Sequence, residues 1–137
     1  WSLVTPLRHA LAKRKTVRLR DLVDEPLILF ERGSTGRQHI LDAFHERELV
    51  PRVSMETTTT DIVVRMVEAG LGIGIVPLLP SGVVTRGRRI AIKAIADSIR
   101  PIHSGILTRR GDRLSDAARE FVGFVRSGAT DSRGTRP

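Results

Sequence analysis

The amino-acid sequence predicts an α/β fold in which a mainly parallel sheet is flanked by helices. Short apolar runs alternate with stretches whose apolar residues recur at helical spacing, an order typical of such folds. Residues 71–76 are apolar without interruption, as expected for a strand that is covered on both faces. Residues 114–125 carry the clearest amphipathic helical pattern in the chain.

Local signals place the individual elements in chain order. Pro26 and Pro51 each restart the chain before a strand, and Gly70 suits the position just after a helix. A basic turn follows the first strand, and a short helical turn is predicted at residues 19–23. Strands are predicted at residues 2–5, 27–30, 52–55, 71–76, 90–92 and 102–107, and longer helices at about 37–47, 62–67 and 114–125.

Length and composition restrict the class of protein. At 137 residues the chain is expected to form one domain. The absence of Cys excludes disulfides, thiol catalysis and Cys-based zinc sites, and it fits a cytoplasmic location. The sequence contains neither a signal peptide nor an apolar run of membrane length, so no membrane partner is predicted. Because the chain opens on Trp1 inside a predicted strand, we expect it to be a piece of a longer protein.

The net charge of +8 raises the possibility of a nucleic-acid partner. Residues 8–20 hold six basic side chains and no acidic one. However, the chain lacks Tyr, has few aromatic residues and carries no helix-turn-helix or RNA-binding signature. An Arg-rich, Lys-poor composition more often reflects a GC-rich genome or a solvated face, so direct reading of DNA by this segment is not predicted. A second basic cluster comprises Arg86, Arg88, Arg89 and Lys93.

The Gly-Ser-Thr-Gly-Arg sequence at residues 33–37 is a candidate ligand-binding turn. Ser34, Thr35 and Gly36 come just before a predicted helix, where unpaired N–H groups and the helix dipole favour an anion. The alternative is ordinary capping of the helix by Ser or Thr. Arg37 either pairs with the same anion or is a solvated helix residue.

Four consecutive Thr residues at 57–60 form a second candidate turn before a helix. One of them, Thr59 or Thr60, is expected to cap the helix, which leaves Thr58 as the best candidate to face a cleft. Thr59 is retained as a candidate ligand-binding residue as well. The alternative is that β-branched Thr residues occur here because they suit the end of a strand.

Other motifs point away from catalysis. The Gly-rich run at residues 70–74 follows a helix and enters a strand, the reverse of the order in dinucleotide-binding motifs. His39 and His45 are six residues apart, which is not the spacing of two metal ligands on one helix face. The chain also lacks a nucleophile elbow and paired carboxylates beside a base. No catalytic residue, metal site or cofactor is therefore predicted, and an enzyme is not expected.

Four segments together resemble the effector-binding domain of LysR-type transcriptional regulators. They lie at residues 4–12, 20–28, 67–77 and 114–118, and Ala10 departs from the Pro usual in the first of them. The resemblance implies a periplasmic-binding-protein-like fold of type 2. It also implies that residues 1–127 are a partial effector domain, namely the second subdomain plus a returning strand and helix. Residues 128–137 have lost all periodicity and are expected to be a disordered tail.

The turn at residues 33–37, with Asp42-Ala-Phe44 after it and Asp61 after the Thr run, is similar to the CysB-like branch that governs sulfur assimilation. In that branch, two Thr residues help to hold sulfate or a related anion. By position they correspond to Thr35 and Thr58. Ser34 departs from the aromatic residue usual there, so the wall of the pocket is expected to differ.

The resemblance also implies partners. A small, anionic effector would bind between two subdomains and favour one orientation, which would change the spacing of DNA-binding domains in a dimer or tetramer. The family's N-terminal winged helix-turn-helix, linker helix and first half of one subdomain are not found in this sequence, so DNA would be contacted only through that missing region. Since the cleft would be one-sided, we expect this piece to bind its ligand weakly.

Two other classes remain open at this point. One is the solute-binding protein of a transporter, which shares the two-subdomain architecture and would need an export signal. The other is a small enzyme of related architecture, such as a prephenate dehydratase or a deaminase-like protein. That enzyme would require a catalytic Thr or carboxylate in the cleft.

Overall fold

A computed structural model describes residues 1–78, 82–103, 105–109, 111 and 113–131, and of residues 128–131 only the backbone. Two units are distinguished, Trp1–Ile102 and His103–Pro137. Among the described residues, the first unit contains a six-stranded sheet, two α-helices and two 3-10 helices, and the second contains one α-helix. In the described part of the chain, no helix is both long enough and apolar enough to cross a bilayer.

The sheet has the strand order β2-β6-β1-β5-β3-β4. Its strands are β1 (Ser2–Pro6), β2 (Thr16–Val17), β3 (Leu27–Phe30), β4 (Val53–Thr57), β5 (Ile73–Val76) and β6 (Ile90–Ile95). Among these described strands, β3 pairs in parallel with β4 and β5, and β2 with β6, whereas β1 lies antiparallel between β5 and β6. The predicted α/β class is confirmed, and the sheet is mixed because the N-terminal strand enters its centre in the opposite direction.

The central strands are the most deeply buried part of the fold. All residues of β3 and β5 are buried, as the uninterrupted apolar sequence of β5 predicts. The helices α1 (Thr35–His45) and α2 (Thr60–Glu68) contribute Phe44 and Val63 to the same core. Two 3-10 helices, Ala10–Lys13 and Leu19–Leu22, contribute Leu11, Leu19 and Leu22.

Helix α2 ends where the sequence predicts. Gly70 has a φ of 80°, a left-handed conformation that Gly adopts without steric penalty. Its N–H donates to the carbonyl of Val67 at 2.9 Å, and the N–H of Leu71 donates to the carbonyl of Met66 at 3.1 Å. These paired hydrogen bonds satisfy carbonyls of the last turn and direct the chain into β5.

Helix α3 (Asp116–Asp131) forms the second unit. Ser115 caps it, since its hydroxyl accepts the N–H of Ala118 at 3.2 Å. The predicted helix therefore exists, and its backbone continues through residues 128–131, which were expected to belong to the tail. Residues 132–137 lie outside the described residues, so the disordered tail stays a prediction there.

Several predicted elements and boundaries differ from the structure. Helix α1 begins at Thr35 instead of residue 37, because Ser34 acts as its cap. The basic turn after β1 contains a 3-10 helix and the two-residue strand β2, which local pattern did not predict. The strand predicted at residues 102–107 is wrong, since the described residues of this range form no strand. Apolar residues favour a strand, but the backbone also needs a neighbouring strand to pair with.

Substitution of Gly72 by Ala is expected to lower the free energy of unfolding by about 1–3 kcal/mol. A Cβ atom at this position would lie 2.4 Å from the backbone oxygen of Pro26, so the start of β5 or β3 would have to move. The measurement is urea denaturation followed by circular dichroism. Gly105→Ala is the control, because its Cβ would meet nothing within 4 Å. Equal stability of the two variants would contradict the prediction.

Candidate functional site

The two predicted ligand-binding turns leave the sheet at the same edge. Strands β3 and β4 run in parallel, with Phe30 paired to Thr57 at their carboxyl ends. The pairing continues beyond β3, since the N–H of Glu31 donates to the carbonyl of Thr57 at 2.9 Å. The turn before α1 and the turn before α2 therefore start side by side. We call this region the β3–β4 edge.

Two of the predicted residues use their hydroxyl groups as helix caps. The Oγ atom of Ser34 accepts the N–H of Arg37 at 3.2 Å. The Oγ1 atom of Thr59 accepts the N–H of Ile62 at 3.3 Å. Both side chains therefore fix the starts of α1 and α2, which is the alternative raised by the sequence.

The other two hydroxyl residues remain available at this edge. Thr35 and Thr58 are exposed, and neither hydroxyl makes a hydrogen bond within the described residues. The main-chain N–H groups of Thr35 and Gly36 in α1, and of Thr60 and Asp61 in α2, also have no acceptor there. The β3–β4 edge thus presents a set of neutral hydrogen-bond donors at two helix N-termini, where partial positive charge accumulates.

Gly36 allows the first turn of α1 to approach the end of β3. It is buried, and a Cβ atom there would lie 3.2 Å from Cδ2 of Phe30 and 3.4 Å from Cη2 of Trp1. The distance to Phe30 is shorter than an ordinary packing contact between carbon atoms, and the distance to Trp1 is at the lower limit of one. Gly36 therefore has a packing role beneath the edge.

Arg37 lies against the sheet, and its interpretation as a solvated helix residue is wrong. Only 13% of its side chain is exposed. Its Nη1 atom donates to the carbonyl of Phe30 at 2.9 Å, and its Nη2 atom lies 3.1 Å from Oε1 of Glu56. The guanidinium therefore joins α1 to both β3 and β4, while its charge is balanced by a carboxylate.

Glu56 is a residue of this site that the sequence did not indicate. It lies on β4, where strand pairing brings it within reach of Arg37 and, at 3.6 Å, of Nε of Arg32. Nothing in the local pattern around residue 56 signals these partners. Its negative charge means that an anion at the edge would be held mainly by neutral donors.

A second contact that the sequence did not indicate joins α1 to the segment after β6. The carbonyl of Arg100 accepts the indole N–H of Trp1 at 2.8 Å and also lies 3.0 Å from Nδ1 of His39. Because a carbonyl oxygen only accepts, Nδ1 of His39 carries a proton in this contact. Trp1 and Arg100 are 99 positions apart, so local sequence cannot reveal the contact.

The sequence profile of the LysR substrate binding domain matches residues 1–130. The chain belongs to the LysR substrate-binding domain family. The resemblance inferred from the sequence is therefore confirmed, and the family is one of transcriptional regulators. The chain is 31% identical over 128 residues to the uncharacterized HTH-type transcriptional regulator YwbI of Bacillus subtilis, which covers 91% of this chain and 41% of YwbI.

The relatives include a member of the CysB-like branch, which the sequence at residues 33–37 resembles. The HTH-type transcriptional regulator CysB of Burkholderia cenocepacia is 42% identical over 72 residues, or 53% of this chain and 23% of CysB. The effector-binding domain of QuiR in complex with shikimate has the same fold, with a TM-score of 0.73 and 24% identity. The match covers 94% of this chain and 61% of the QuiR chain. The chain spans about two fifths of the length of YwbI.

None of four concavities found among the described residues of this LysR domain is lined by a predicted site residue. The β3–β4 edge is an open surface, in keeping with the exposure of Thr35 and Thr58. Within the described residues, no group of three His, Asp or Glu side chains is placed to hold a metal ion.

One of these concavities, of about 410 Å³, is lined in part by Glu68 and Arg89. The carboxylate of Glu68 accepts the N–H of Arg89 at 2.8 Å and lies 3.1 Å from Nη1 of Arg88. These two contacts, the hydrogen bond from the Arg89 backbone first, hold the pKa of Glu68 below its ordinary value. They join the end of α2 to the segment before β6.

The capping roles predict a contrast in stability among four Thr or Ser to Ala variants. Ser34→Ala and Thr59→Ala should each lower the free energy of unfolding by about 1 kcal/mol, because each removes a helix cap. Thr35→Ala and Thr58→Ala should change it by less than about 0.5 kcal/mol, since their hydroxyls are exposed and unbonded within the described residues. Urea denaturation measures all four. A large loss in the second pair would contradict this assignment.

The lowered pKa of Glu68 predicts a pH-dependent contribution to stability. An acid whose pKa is lower in the folded state stabilises the fold above its unfolded pKa of about 4.3. That contribution is lost as the pH falls through the folded value. Glu68→Gln should therefore be less stable than the parent chain at pH 7, and the difference should shrink below pH 4, as measured by thermal unfolding. A difference that does not change with pH would refute the contribution of this charge.

Proposed function

We propose that this chain is the effector-sensing part of a transcriptional regulator and that the β3–β4 edge is its share of the site for a small anion. Thr35 and Thr58 would contact the anion directly through their hydroxyl groups. The remaining residues would hold the edge in place: Ser34 and Thr59 as caps, Gly36 as a close contact to β3, and Arg37 as a link between α1 and the sheet.

One observation carries this proposal. The parallel register of Phe30 and Thr57 brings two turns, each with an unbonded hydroxyl and unbonded N–H groups, to one edge of the sheet. Ligands of open α/β sheets commonly bind beyond the carboxyl ends of strands. Two helix N-termini at this place favour a negatively charged ligand.

The balance of charge favours an anion that accepts many hydrogen bonds. Arg37 is paired with Glu56, so the edge presents neutral donors more than net positive charge. A sulfate or similar oxyanion has several oxygen atoms that can each accept from a hydroxyl or an N–H group. The 42% identity to CysB over 72 residues supports an anion of this class.

The regulator would work by a shift in conformation. The effector would be enclosed between this edge and residues of the region of the relatives that the chain does not span, and it would stabilise one orientation of the two subdomains. In a dimer or tetramer that change would alter the spacing of DNA-binding domains outside this chain. The protein would act in the cytoplasm, and it would sense its ligand without transforming it.

A titration with sulfate tests the proposal. Backbone amide shifts of the 137-residue chain would be followed by NMR at constant ionic strength. We expect weak, saturable binding at the β3–β4 edge, with a dissociation constant on the order of 1 mM read from the amide shifts of that edge. Thr35→Ala and Thr58→Ala should each weaken binding about tenfold, the effect of one lost hydrogen bond to a charged group.

Thr16→Ala is the matched control, because Thr16 is an exposed Thr on β2, which lies at the opposite end of the sheet from β4. It should change the affinity less than about twofold. Absence of saturable shifts at the β3–β4 edge, or equal weakening by all three variants, would refute this edge as an anion site. Tight binding by the chain alone would contradict the need for a second subdomain.

A further inference from the structure

We propose that a second anion site, distinct from the β3–β4 edge, lies in the concavity lined by Arg18, Arg20, Arg47, Leu49 and Asp97, and that it takes a phosphate-bearing molecule. The concavity has a volume of about 300 Å³. Three of its five lining residues are Arg, and they come from two separate segments of the first unit.

Tertiary structure brings these residues together beyond the end of α1. Arg18 and Arg20 belong to the 3-10 helix Leu19–Leu22 and its cap, Arg47 follows α1, and Asp97 follows β6. At a rise of about 1.5 Å per residue, the length of α1 separates them from its N-terminus by about 16 Å. The concavity is therefore a different place from the β3–β4 edge.

Asp97 is the carboxylate among the described residues that line the concavity, and both of its oxygens accept a hydrogen bond. Oδ1 of Asp97 accepts from Nε of Arg47 at 3.2 Å, and Oδ2 accepts the N–H of Leu19 at 2.6 Å. These bonds place Arg47 and the 3-10 helix relative to each other. They also mean that Asp97 does not neutralise Arg18 or Arg20 by direct contact.

Arg47 is held in one orientation and still has donors to spare. Its Nη1 atom donates to the carbonyl of Ala43 at 2.7 Å, and Glu46 approaches it only at 3.8 Å from a largely exposed position. Its Nη2 atom has no partner within the described residues. A guanidinium that is already oriented loses less conformational entropy when it binds an anion.

Arg18 and Arg20 supply the remaining charge. Both are exposed, and neither side chain donates a hydrogen bond within the part of the chain that the structure describes. The nearby carboxylate of Asp21 is bonded to the N–H of Arg18 at 2.8 Å and paired with Arg14 at 2.9 Å. The five lining residues therefore carry a net charge of +2, from three Arg and one Asp.

This chemistry fits a phosphate group. Guanidinium forks donate two parallel hydrogen bonds to phosphate oxygens, and three of them can serve one multiply charged group. Leu49 adds an apolar wall for an attached organic part. The volume lies at the lower end of the range for small-molecule sites. The source of the phosphate is either a small phosphorylated molecule or the backbone of DNA.

A titration of the 137-residue chain with inorganic pyrophosphate tests the site. Calorimetry at constant ionic strength should give saturable binding. The double variant Arg18→Gln/Arg20→Gln should weaken it by about a hundredfold, at roughly tenfold for each lost charge-assisted contact. Arg47→Lys, which keeps the charge but loses the fork, should weaken it by about tenfold. Circular dichroism checks that each variant is folded.

Arg52→Gln is the control, since it removes one exposed positive charge outside the concavity. It should change the affinity less than about twofold. Absence of saturable binding to the parent chain, or equal weakening by Arg52→Gln and by Arg18→Gln/Arg20→Gln, would overturn the proposal. A short DNA duplex that displaces pyrophosphate would identify the nucleic-acid backbone as the source of the phosphate, whereas failure to displace it would support a small phosphorylated molecule.

Discussion

The parallel pairing of β3 with β4 on one side and β5 on the other is the constraint on which the rest of the first unit depends. It buries β3 completely and sets the direction in which α1 and α2 leave the sheet. Gly72 lies close to the backbone of Pro26, just before β3, and this close approach allows β5 to pair with β3. Without the pairing, two polar turns that are about 25 residues apart would not share an edge.

Packing and binding use different residues of the same turns. At the β3–β4 edge, Ser34 and Thr59 cap the helices, and Arg37 is committed to Phe30 and Glu56. The donors left over belong to Thr35, Thr58 and the main chain. A ligand at this edge would therefore meet a surface whose geometry is already determined by interactions within the protein, which reduces the entropy lost on binding.

The positive charge of the chain is also unevenly compensated. Arg37 and Arg88 are paired with carboxylates, and these pairs join elements of the fold. Arg18 and Arg20 are exposed around a concavity whose one carboxylate is already engaged. A net charge of +8 is thus a poor guide to partners until the position of each charge is known.

Local sequence was sufficient to identify the family and to locate most strands and helices and the two hydroxyl-rich turns. The reason is that capping, helical spacing and apolar runs act over a few residues. It did not reveal Glu56, the shared carbonyl of Arg100 or the Arg-lined concavity, since these depend on residues far apart in the chain. The strand prediction at residues 102–107 was wrong for a related reason: an apolar run does not provide its own pairing partner. The sequence by itself determined which residues could form a polar turn; the order of the strands decided which turns became neighbours.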